Sequence, residues 1–295
     1  MKRSFLFLLS GLILCAAAVG CGSRNNESGT PVIDKIRERG VLLVGTTGDY
    51  RPLSYKEPET GAYWGFGIEM AGEIAKDLDV SVSYVQTSWP TLSADVRNPE
   101  LFDFAIGGIT ITDARQETMD MSEGYLCNGK TILCRKDDAS KYKGIEDLNK
   151  ADVTVMVNPG GLNEKFAREN LPLCNLIVHE KNEEIPGMVA AGDADVMITE
   201  ITEAPWYVKN DTRLAAPLLD KPFTHGQIAV LMRKGQADLL DAVNTTISKM
   251  KRDGTLKNLH QKYGLVYGYG AEDGGVRTAR PLFRRTGCDK MSGSR

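Results

Sequence analysis

The sequence predicts an α/β protein of two lobes, each built on a mostly parallel β-sheet. Apolar strand-like runs alternate with amphipathic helical segments along the chain, which is typical of parallel strands joined by crossover helices. The same alternation begins again near residue 151. A chain of 295 residues is long enough for two compact lobes, and a cleft between two such lobes is a common place for a small-ligand site.

The first set of elements opens with a short helix in PVIDKIRERG, which Gly40 ends. The apolar run VLLVGTT predicts a buried strand. The next helix covers WGFGIEMAGEIAKDLDV, where Phe66, Met70 and Ile74 lie four residues apart and therefore share one face. Three more strands are predicted in SVSYVQT, FDFAIGGI and KTILCRK.

The second set repeats this pattern. Strands are predicted in DVTVMV, NLIVH and ADVMIT, with helices in LNEKFA and around EEIPGMVAAG. HGQIAVLMRKG predicts one strand that leads out of this set, and two amphipathic helices follow it. We therefore predict lobe 1 in residues 31–138 and 226–267 and lobe 2 in residues 139–225, with the chain crossing between the lobes near 136–141 and 221–228.

The start of the chain resembles a bacterial lipoprotein signal. Two basic residues precede a short apolar run that ends in AVGC, so residues 1–20 read as the signal and Cys21 as the lipidated residue. An ordinary secretory signal with a chance cysteine is the alternative, and we favour lipidation. Either signal predicts export. We expect a periplasmic, cell-envelope protein held at the membrane by lipid on Cys21, with residues 21–30 as a linker.

Composition narrows the set of partners. The net charge is −3 and the central chain has no long basic run, which argues against nucleic acid as a partner. The histidines are scattered and no Cys/His cluster has zinc spacing, so we predict no metal and no other cofactor.

The tail at 268–295 is rich in glycine and arginine and is predicted to be disordered. The mature chain has four cysteines, Cys127, Cys134, Cys174 and Cys288. Four cysteines allow three complete disulfide pairings, and the sequence does not choose among them.

Candidate ligand contacts lie where strands of the first set end. GTTGDYRPLSY presents Tyr50 in a turn, where an aromatic ring can cover a flat ligand. TSWP presents Trp89 after the next strand. In GGITITDARQE, Gly108 permits close backbone approach and Thr110 offers a hydroxyl group. Arg115 offers a planar guanidinium group, which can bind a carboxylate through two hydrogen bonds.

A glycine turn in the second set predicts an anion site. In VMVNPGGLNEKF a strand ends at Asn158, and Gly160 and Gly161 precede a helix. The first N–H groups of a helix have no partners within the helix, and the helix dipole favours negative charge near them. We therefore expect this turn to face a carboxylate.

Two glutamates follow the last strand of the second set, in MITEITEAPW. Glu200 and Glu203 share one face if the next helix begins at Thr199. If Pro205 is the first helical residue, Glu203 lies in the turn just before it. Because strand ends face the predicted cleft, both acids are candidate ligand contacts.

The order of these segments resembles the family 3 periplasmic solute-binding proteins, the amino-acid receptors of ABC importers. The shared motifs include GTTGDYRPLSY, GFGIEMAGEIA, FDFAIGGITITDAR, GDADVMIT and RKGQADLLDAVNTTISKMKRDGTLKNLHQKYG, and they cover roughly residues 31–267. The resemblance implies a periplasmic-binding-protein-like fold, in which two Rossmann-like lobes are joined by two hinge strands and close over a small carboxylate ligand. It also implies an ABC permease as a partner.

Within this family, TTGDYRPLSY, TSWP and VNPGGLNEKFAREN are similar to the cyclohexadienyl dehydratase branch. That branch converts prephenate to phenylpyruvate and arogenate to phenylalanine. The resemblance implies that Arg115 and Thr110 hold a substrate carboxylate and that Tyr50 and Trp89 form aromatic walls.

The same resemblance assigns roles in the second lobe. Glu200 stands where amino-acid receptors bind an amino group. Glu203 is the implied general acid, and Asn158 is the implied amide that orients the substrate. The alternative is a lipoprotein receptor that delivers an amino acid to an ABC permease. The lipoprotein-like signal and the segment PFTHGQIAVLMRKG favour that receptor.

Overall fold

A computed structural model describes residues 31–266 of the protein. The predicted signal, the predicted lipidation site Cys21, Cys288 and the predicted tail therefore lie outside the described residues. In chain order the strands are β1 (Val41–Thr46), β2 (Asp49–Tyr50), β3 (Ser54–Lys56), β4 (Tyr63–Trp64), β5 (Ser81–Gln86), β6 (Phe104–Ala105), β7 (Met119–Met121), β8 (Leu126–Asn128), β9 (Lys130–Arg135), β10 (Thr154–Val157), β11 (Asn175–Val178), β12 (Val196–Glu200), β13 (Leu214–Ala215), β14 (Gly226–Ile228) and β15 (Leu231–Arg233). The α-helices are α1 (Val32–Arg39), α2 (Phe66–Asp77), α3 (Leu92–Arg97), α4 (Asp113–Thr118), α5 (Leu162–Asn170), α6 (Ile185–Ala191), α7 (Ala204–Asn210), α8 (Ala237–Arg252) and α9 (Thr255–Tyr263).

Lobe 1 is built on a five-stranded sheet with the order β5-β1-β6-β15-β7. Strand β1 is parallel to β5 and β6, as the alternation of strands and helices predicts, and β15 runs antiparallel to its two neighbours. The predicted apolar face of α2 is buried, with Phe66, Met70 and Ile74 each 0% exposed. Helix α1 ends at Gly40, whose φ of 73° is readily adopted by glycine.

Lobe 2 is built on a second five-stranded sheet with the order β11-β10-β12-β9-β13. Strand β10 is parallel to β11 and β12, while β9 is antiparallel to β12. Its central strands are buried on both faces, so the runs DVTVMV and ADVMIT read as continuous apolar segments rather than alternating ones. The prediction of two α/β lobes is thus confirmed.

The chain crosses between the lobes at β8 and β14, which pair antiparallel as a two-stranded hinge. The first crossing lies just before Lys130, not at 136–141, because β9 belongs to the sheet of lobe 2. The polar run at 136–141 forms a 3-10 turn on that lobe. The hinge segments are in close contact, since a Cβ at Gly129 would come within 2.1 Å of the Thr224 carbonyl oxygen.

The segment HGQIAVLMRKG differs from the single strand that we expected. It forms β14 in the hinge and β15 in the sheet of lobe 1. The apolar run is continuous because every residue of 228–232 is buried, including Ala229 and Leu231 between Ile228, Val230 and Met232. The change from one sheet to another therefore leaves no break in the pattern.

Three further findings concern the cysteines, the helices and the potential metal ligands of the described residues. Cys134 and Cys174 are free thiols, and no disulfide joins them to each other or to Cys127 within this part of the chain. Between residues 31 and 266, no helix combines the length and the apolar character that a membrane span requires. The same residues contain no group of three or more His, Cys, Asp and Glu side chains that could hold a metal ion.

The lobes approach each other closely where the glycine turn of lobe 2 meets the loop after β5. Gly160 has a φ of 70°, and a Cβ atom there would lie 2.6 Å from the Cα of Pro90 in lobe 1. Because the contact is with backbone, it cannot be relieved by a rotamer change. Only glycine therefore permits this degree of closure.

We expect Gly160→Ala to hold the lobes apart. The added methyl group clashes with Pro90 and the positive φ adds a strain of about 1 kcal/mol. Small-angle X-ray scattering should give a larger radius of gyration than for the wild type. Gly192→Ala is the matched control, because Gly192 also has a positive φ, of 95°, but a Cβ there meets nothing within 4 Å. An unchanged scattering curve for Gly160→Ala would contradict this account of closure.

Candidate functional site

The candidate site is a small cavity between the two lobes. Its volume of about 20 Å³ leaves room for roughly one water molecule, so a ligand can enter only when the lobes part. Lobe 1 contributes Tyr50, Trp89, Gly108, Thr110 and Arg115, and lobe 2 contributes Lys130, Asn158, Gly161, Leu162, Asn163 and Glu200.

Aromatic side chains form the lobe 1 wall of the cavity. The rings of Tyr50 and Trp89 meet edge to face with centroids 5.7 Å apart. Gly108 has a φ of 99°, and a Cβ there would lie 2.7 Å from the Tyr50 ring, so the glycine makes room for that ring. The indole nitrogen of Trp89 donates to the Asp49 carboxylate at 3.1 Å, which fixes the plane of the indole.

Arg115 supplies a cation on the same side. It lies in α4, which Thr112 caps, and its Nη1 donates to the Thr110 carbonyl oxygen at 2.6 Å. Burial lowers the pKa of Arg115, and the nearby Glu200 opposes that change. A guanidinium group stays charged at neutral pH. The contact with Thr110 occupies one edge of the guanidinium group and leaves other N–H groups to receive a carboxylate.

The floor of the cavity is an ion pair within lobe 2. Lys130 is the first residue of β9, Glu200 is the last residue of β12, and the two stand opposite each other in the antiparallel register. The Lys130 ammonium donates to Glu200 Oε1 at 2.6 Å and to Asn163 Oδ1 at 2.6 Å. The Tyr50 hydroxyl donates to the other Glu200 oxygen. Both oxygens of Glu200 therefore already accept a hydrogen bond.

These contacts decide the charge of Glu200. Burial raises its pKa, but the Lys130 ammonium and the hydrogen bonds from Lys130 and Tyr50 outweigh burial, so the pKa lies below its usual value. The pKa of Tyr50 is well above its usual value because of burial and the neighbouring carboxylates. Glu200 is thus an anion and Tyr50 a neutral hydrogen-bond donor in this arrangement.

Lys130 and Asn163 were missed in the sequence analysis. Lys130 was assigned only to a strand, although a lysine that starts an otherwise apolar run was a usable signal. Asn163 lies in the first turn of α5 and is 6% exposed. Its amide nitrogen is 3.5 Å from the Asn158 side-chain oxygen, which leaves the Asn158 amide nitrogen to face the cavity.

The glycine turn contributes less to the cavity than the sequence suggested. Gly161 lines it, but Gly160 does not. The Gly160 N–H donates to the Glu164 carboxylate at 2.7 Å, so this amide is already satisfied. Gly160 acts instead in the approach of the two lobes through its contact with Pro90.

Glu203 does not line the cavity. Helix α7 begins at Ala204, so Glu203 lies in the turn just before the helix, the second of the two arrangements that the sequence allowed. It is 0% exposed. Its carboxylate accepts from Thr199 at 2.5 Å and from Asn182 at 2.7 Å, and the Tyr207 hydroxyl lies 3.4 Å away.

Burial raises the pKa of Glu203 to about 8. Hydrogen bonds from Thr199 and Asn182 lower it, while the carboxylates of Glu200 and Asp49 raise it further. In contrast to Glu200, Glu203 has no cation beside it among the described residues. The two neighbouring glutamates thus differ in both charge and location.

A wider groove of about 430 Å³ lies between the lobes where Trp64 faces Trp206. It contains none of the site residues that the sequence predicted. The small cavity, with its cations and its paired carboxylate, is therefore the candidate site.

Comparisons with known proteins agree with this architecture. The sequence profile of the bacterial extracellular solute-binding proteins, family 3, matches residues 42–266. The chain is 37% identical to the cyclohexadienyl dehydratase of Pseudomonas aeruginosa over 80% of its length and 87% of that protein. It is 30% identical to the L-cystine-binding protein TcyJ of Escherichia coli, over 85% of its length and 92% of that protein. Among solved structures, the ancestral amino acid-binding protein AncCDT-1, a precursor of cyclohexadienyl dehydratase, matches with a TM-score of 0.73 and 38% identity, over 79% of this chain and 99% of that one.

The raised pKa of Glu203 predicts a pH-dependent stability. Between the usual glutamate pKa of 4.5 and the folded value of about 8, the folded protein keeps a proton that the unfolded chain releases, so the free energy of unfolding falls as pH rises. Glu203→Gln removes this decrease in the free energy of unfolding, because the glutamine side chain does not ionise in this range. We expect the melting temperature of Glu203→Gln, relative to wild type, to rise between pH 5 and pH 8 in calorimetry.

The control for this measurement is Glu59→Gln, at an exposed loop position. Its melting temperature should follow that of the wild type across the same range. A constant difference between Glu203→Gln and the wild type would mean that Glu203 is ionised in the folded protein throughout.

Proposed function

The chain belongs to the bacterial extracellular solute-binding proteins of family 3, and from that premise we propose that it is an exported prephenate and arogenate dehydratase. The observation that carries the proposal is the charge of the closed cleft. Arg115 from lobe 1 and Lys130 from lobe 2 provide two cations, and Glu200 provides one anion. One ligand carboxylate can pair with Arg115, and a second can pair with Lys130 when Glu200 takes up a proton. Prephenate carries two carboxylates.

The ion pair argues against an amino acid as the preferred ligand. Each Glu200 oxygen already accepts one hydrogen bond, from Lys130 or from Tyr50, so a ligand ammonium group would have to share these acceptors with them. It would also be repelled by the Lys130 ammonium. Prephenate carries a keto group where arogenate carries an ammonium, so the cleft favours prephenate. The similarity to a cyclohexadienyl dehydratase supports the dehydratase function itself.

The reaction needs one proton donor. In prephenate the ring carboxylate leaves as carbon dioxide, and its bonding electrons form the aromatic ring as the C–O bond at the opposite carbon breaks. The departing hydroxide takes a proton and leaves as water. Prephenate dianion and one proton thus give phenylpyruvate anion, carbon dioxide and water. A placed general acid contributes about 10²–10⁴-fold to such a step.

We assign the acid to Glu200, because it borders the cavity and can reach a bound substrate. Its pKa is low while it is paired with Lys130. A substrate carboxylate entering beside Lys130 draws the ammonium away and adds a like charge, and both changes raise the pKa of Glu200. Binding of the dianion therefore favours uptake of the proton that the reaction consumes. Asn158 orients the substrate through its amide nitrogen.

Glu203, the acid that the resemblance implied, is less suited to this step. Its pKa of about 8 keeps it protonated at neutral pH. However, it is 0% exposed and absent from the cavity wall, and a general acid must come within hydrogen-bond reach of the group that it protonates. In the closed form the geometry therefore favours Glu200 over Glu203 as the general acid.

The alternative function is an amino-acid receptor of an ABC importer. The similarity to an L-cystine-binding protein supports it. A cleft between two lobes also suits a receptor, because closure alone is enough to hold a ligand. Docking to a permease stays a prediction that accompanies this alternative, and lipid attachment at Cys21 stays a prediction under either function. A receptor binds its ligand without turnover, so the two functions differ in one assay.

We expect purified protein containing residues 22–268 to convert prephenate to phenylpyruvate, measured by the absorbance of the product in alkali. Glu200→Gln should lower kcat by about 10²–10⁴-fold, because the amide has no proton of suitable acidity to donate. Glu203→Gln should keep kcat within about tenfold, since the amide replaces a group outside the cavity.

The pair of variants separates the possible results. Loss of turnover in Glu203→Gln alone would move the general acid to Glu203. No turnover by the wild type, together with tight binding of an amino acid in calorimetry, would replace the dehydratase with the receptor.

Lys130 should set the preference between the two substrates. We expect the wild type to have a higher kcat/KM for prephenate than for arogenate, because Lys130 repels the arogenate ammonium. Lys130→Gln should reduce the ratio by roughly tenfold, since it removes that repulsion. Lys130→Arg, which keeps the charge, is the control. An unchanged ratio in Lys130→Gln would mean that the buried ammonium does not face the reacting substrate.

A further inference from the structure

Asn182 makes a buried polar contact between the lobes, at a place that the proposed chemistry does not use. It begins a short 3-10 turn in lobe 2, Asn182–Glu184, and is 0% exposed. Its side-chain nitrogen donates to Glu203 Oε1 at 2.7 Å within lobe 2. The same nitrogen donates to the backbone oxygen of Asp49 in lobe 1 at 3.1 Å.

The orientation of this amide is determined by its neighbours. Both partners of the nitrogen, the Glu203 carboxylate and the Asp49 carbonyl, are acceptors. A flipped amide would direct its oxygen at both of them. The Asn182 side-chain oxygen has no hydrogen-bond partner in the described structure. The side chain is therefore held through its nitrogen alone, as a bridge from Glu203 to the opposite lobe.

The far end of this bridge lies in the wall of the cavity. Asp49 and Tyr50 form β2, and the Tyr50 hydroxyl donates to Glu200. The Asp49 side chain accepts from the Trp89 indole. The carbonyl that Asn182 binds thus belongs to the segment that carries one aromatic wall and fixes the other.

Glu203 is placed to support the bridge whether or not it carries a proton. A proton on Oε2 can be shared with the Thr199 hydroxyl, 2.5 Å away, and this leaves Oε1 to accept from Asn182. Glutamine at position 203 can do the same, with its amide nitrogen towards Thr199 and its oxygen towards Asn182. The buried carboxyl is therefore an anchor for Asn182.

We propose that Asn182, anchored by Glu203, is a positioning residue that latches β2 of lobe 1 onto lobe 2 and so biases the cleft towards its closed form. The latch acts on closure, not on a reacting atom. It goes beyond the proposed function, because it would serve a dehydratase and a receptor alike.

Closure can be measured without any ligand. Trp64 of lobe 1 and Trp206 of lobe 2 face each other across the cleft with ring centroids 5.5 Å apart, so the ¹⁹F resonances of 5-fluorotryptophan at these positions report lobe approach. Gly160→Ala, which obstructs closure through Pro90, provides the open reference. We expect Asn182→Ala to move both resonances from the wild-type positions towards that reference.

Three further variants make the test specific. Glu203→Gln, which keeps the anchor, should retain the wild-type resonances. Asn175→Ala removes an exposed asparagine whose amide bonds within lobe 2, to Thr154, and should also retain them. Asn182→Ser, which cannot reach both partners, serves if Asn182→Ala fails to fold by circular dichroism. Wild-type resonances in a folded Asn182 variant would overturn the proposal.

Prephenate kinetics provide a second readout. Asn182→Ala should raise KM by roughly fivefold to tenfold, the effect of one hydrogen bond, and leave kcat little changed. A fall in kcat with KM unchanged would overturn the latch, because it would indicate an action on the chemical step. If the wild type shows no turnover, the proposed function fails, but the ¹⁹F measurement still tests the latch.

Discussion

The buried ion pair between Lys130 and Glu200 is the interaction on which the site depends. Burying two opposite charges is costly unless their remaining hydrogen-bonding capacity is satisfied. Asn163 accepts from the lysine and Tyr50 donates to the glutamate. The ion pair is therefore bonded both to helix α5 of its own lobe and to strand β2 of the other lobe. Because the two residues stand opposite each other in β9 and β12, a shift in strand register would separate them and dismantle the cavity floor.

Two glutamates three residues apart show how strongly position decides chemistry. Burial raises the pKa of both, but within residues 31–266 only Glu200 has a cation beside it. Glu200 ends a strand at the cavity, whereas Glu203 turns inward before α7. A ligand that binds beside Lys130 can therefore change the pKa of Glu200. Glu203 is isolated from the cleft and is suited to holding Asn182.

Closure and chemistry are linked through β2. Tyr50 completes the hydrogen bonding of Glu200, and Asp49 receives Asn182 from the opposite lobe. When the lobes part, both contacts break, and Glu200 loses a donor that lowers its pKa. The same movement opens a cavity that is otherwise too small for a ligand. The proposed dehydratase reaction would therefore be favoured in the closed form, where the charges lie close together and interact strongly.

The sequence by itself determined the class of fold, the order of elements and most of the cavity wall. Periodicity is local, so the apolar face of α2 and the segments after β1 and β6 that carry Tyr50 and Arg115 follow from neighbouring residues. Tertiary structure alone decided the rest. Whether β9 joined lobe 1 or lobe 2, and whether Lys130 met Glu200, depended on pairing between strands some seventy residues apart. Such pairing is fixed by packing and register across the whole lobe, so it cannot be inferred from a local sequence pattern.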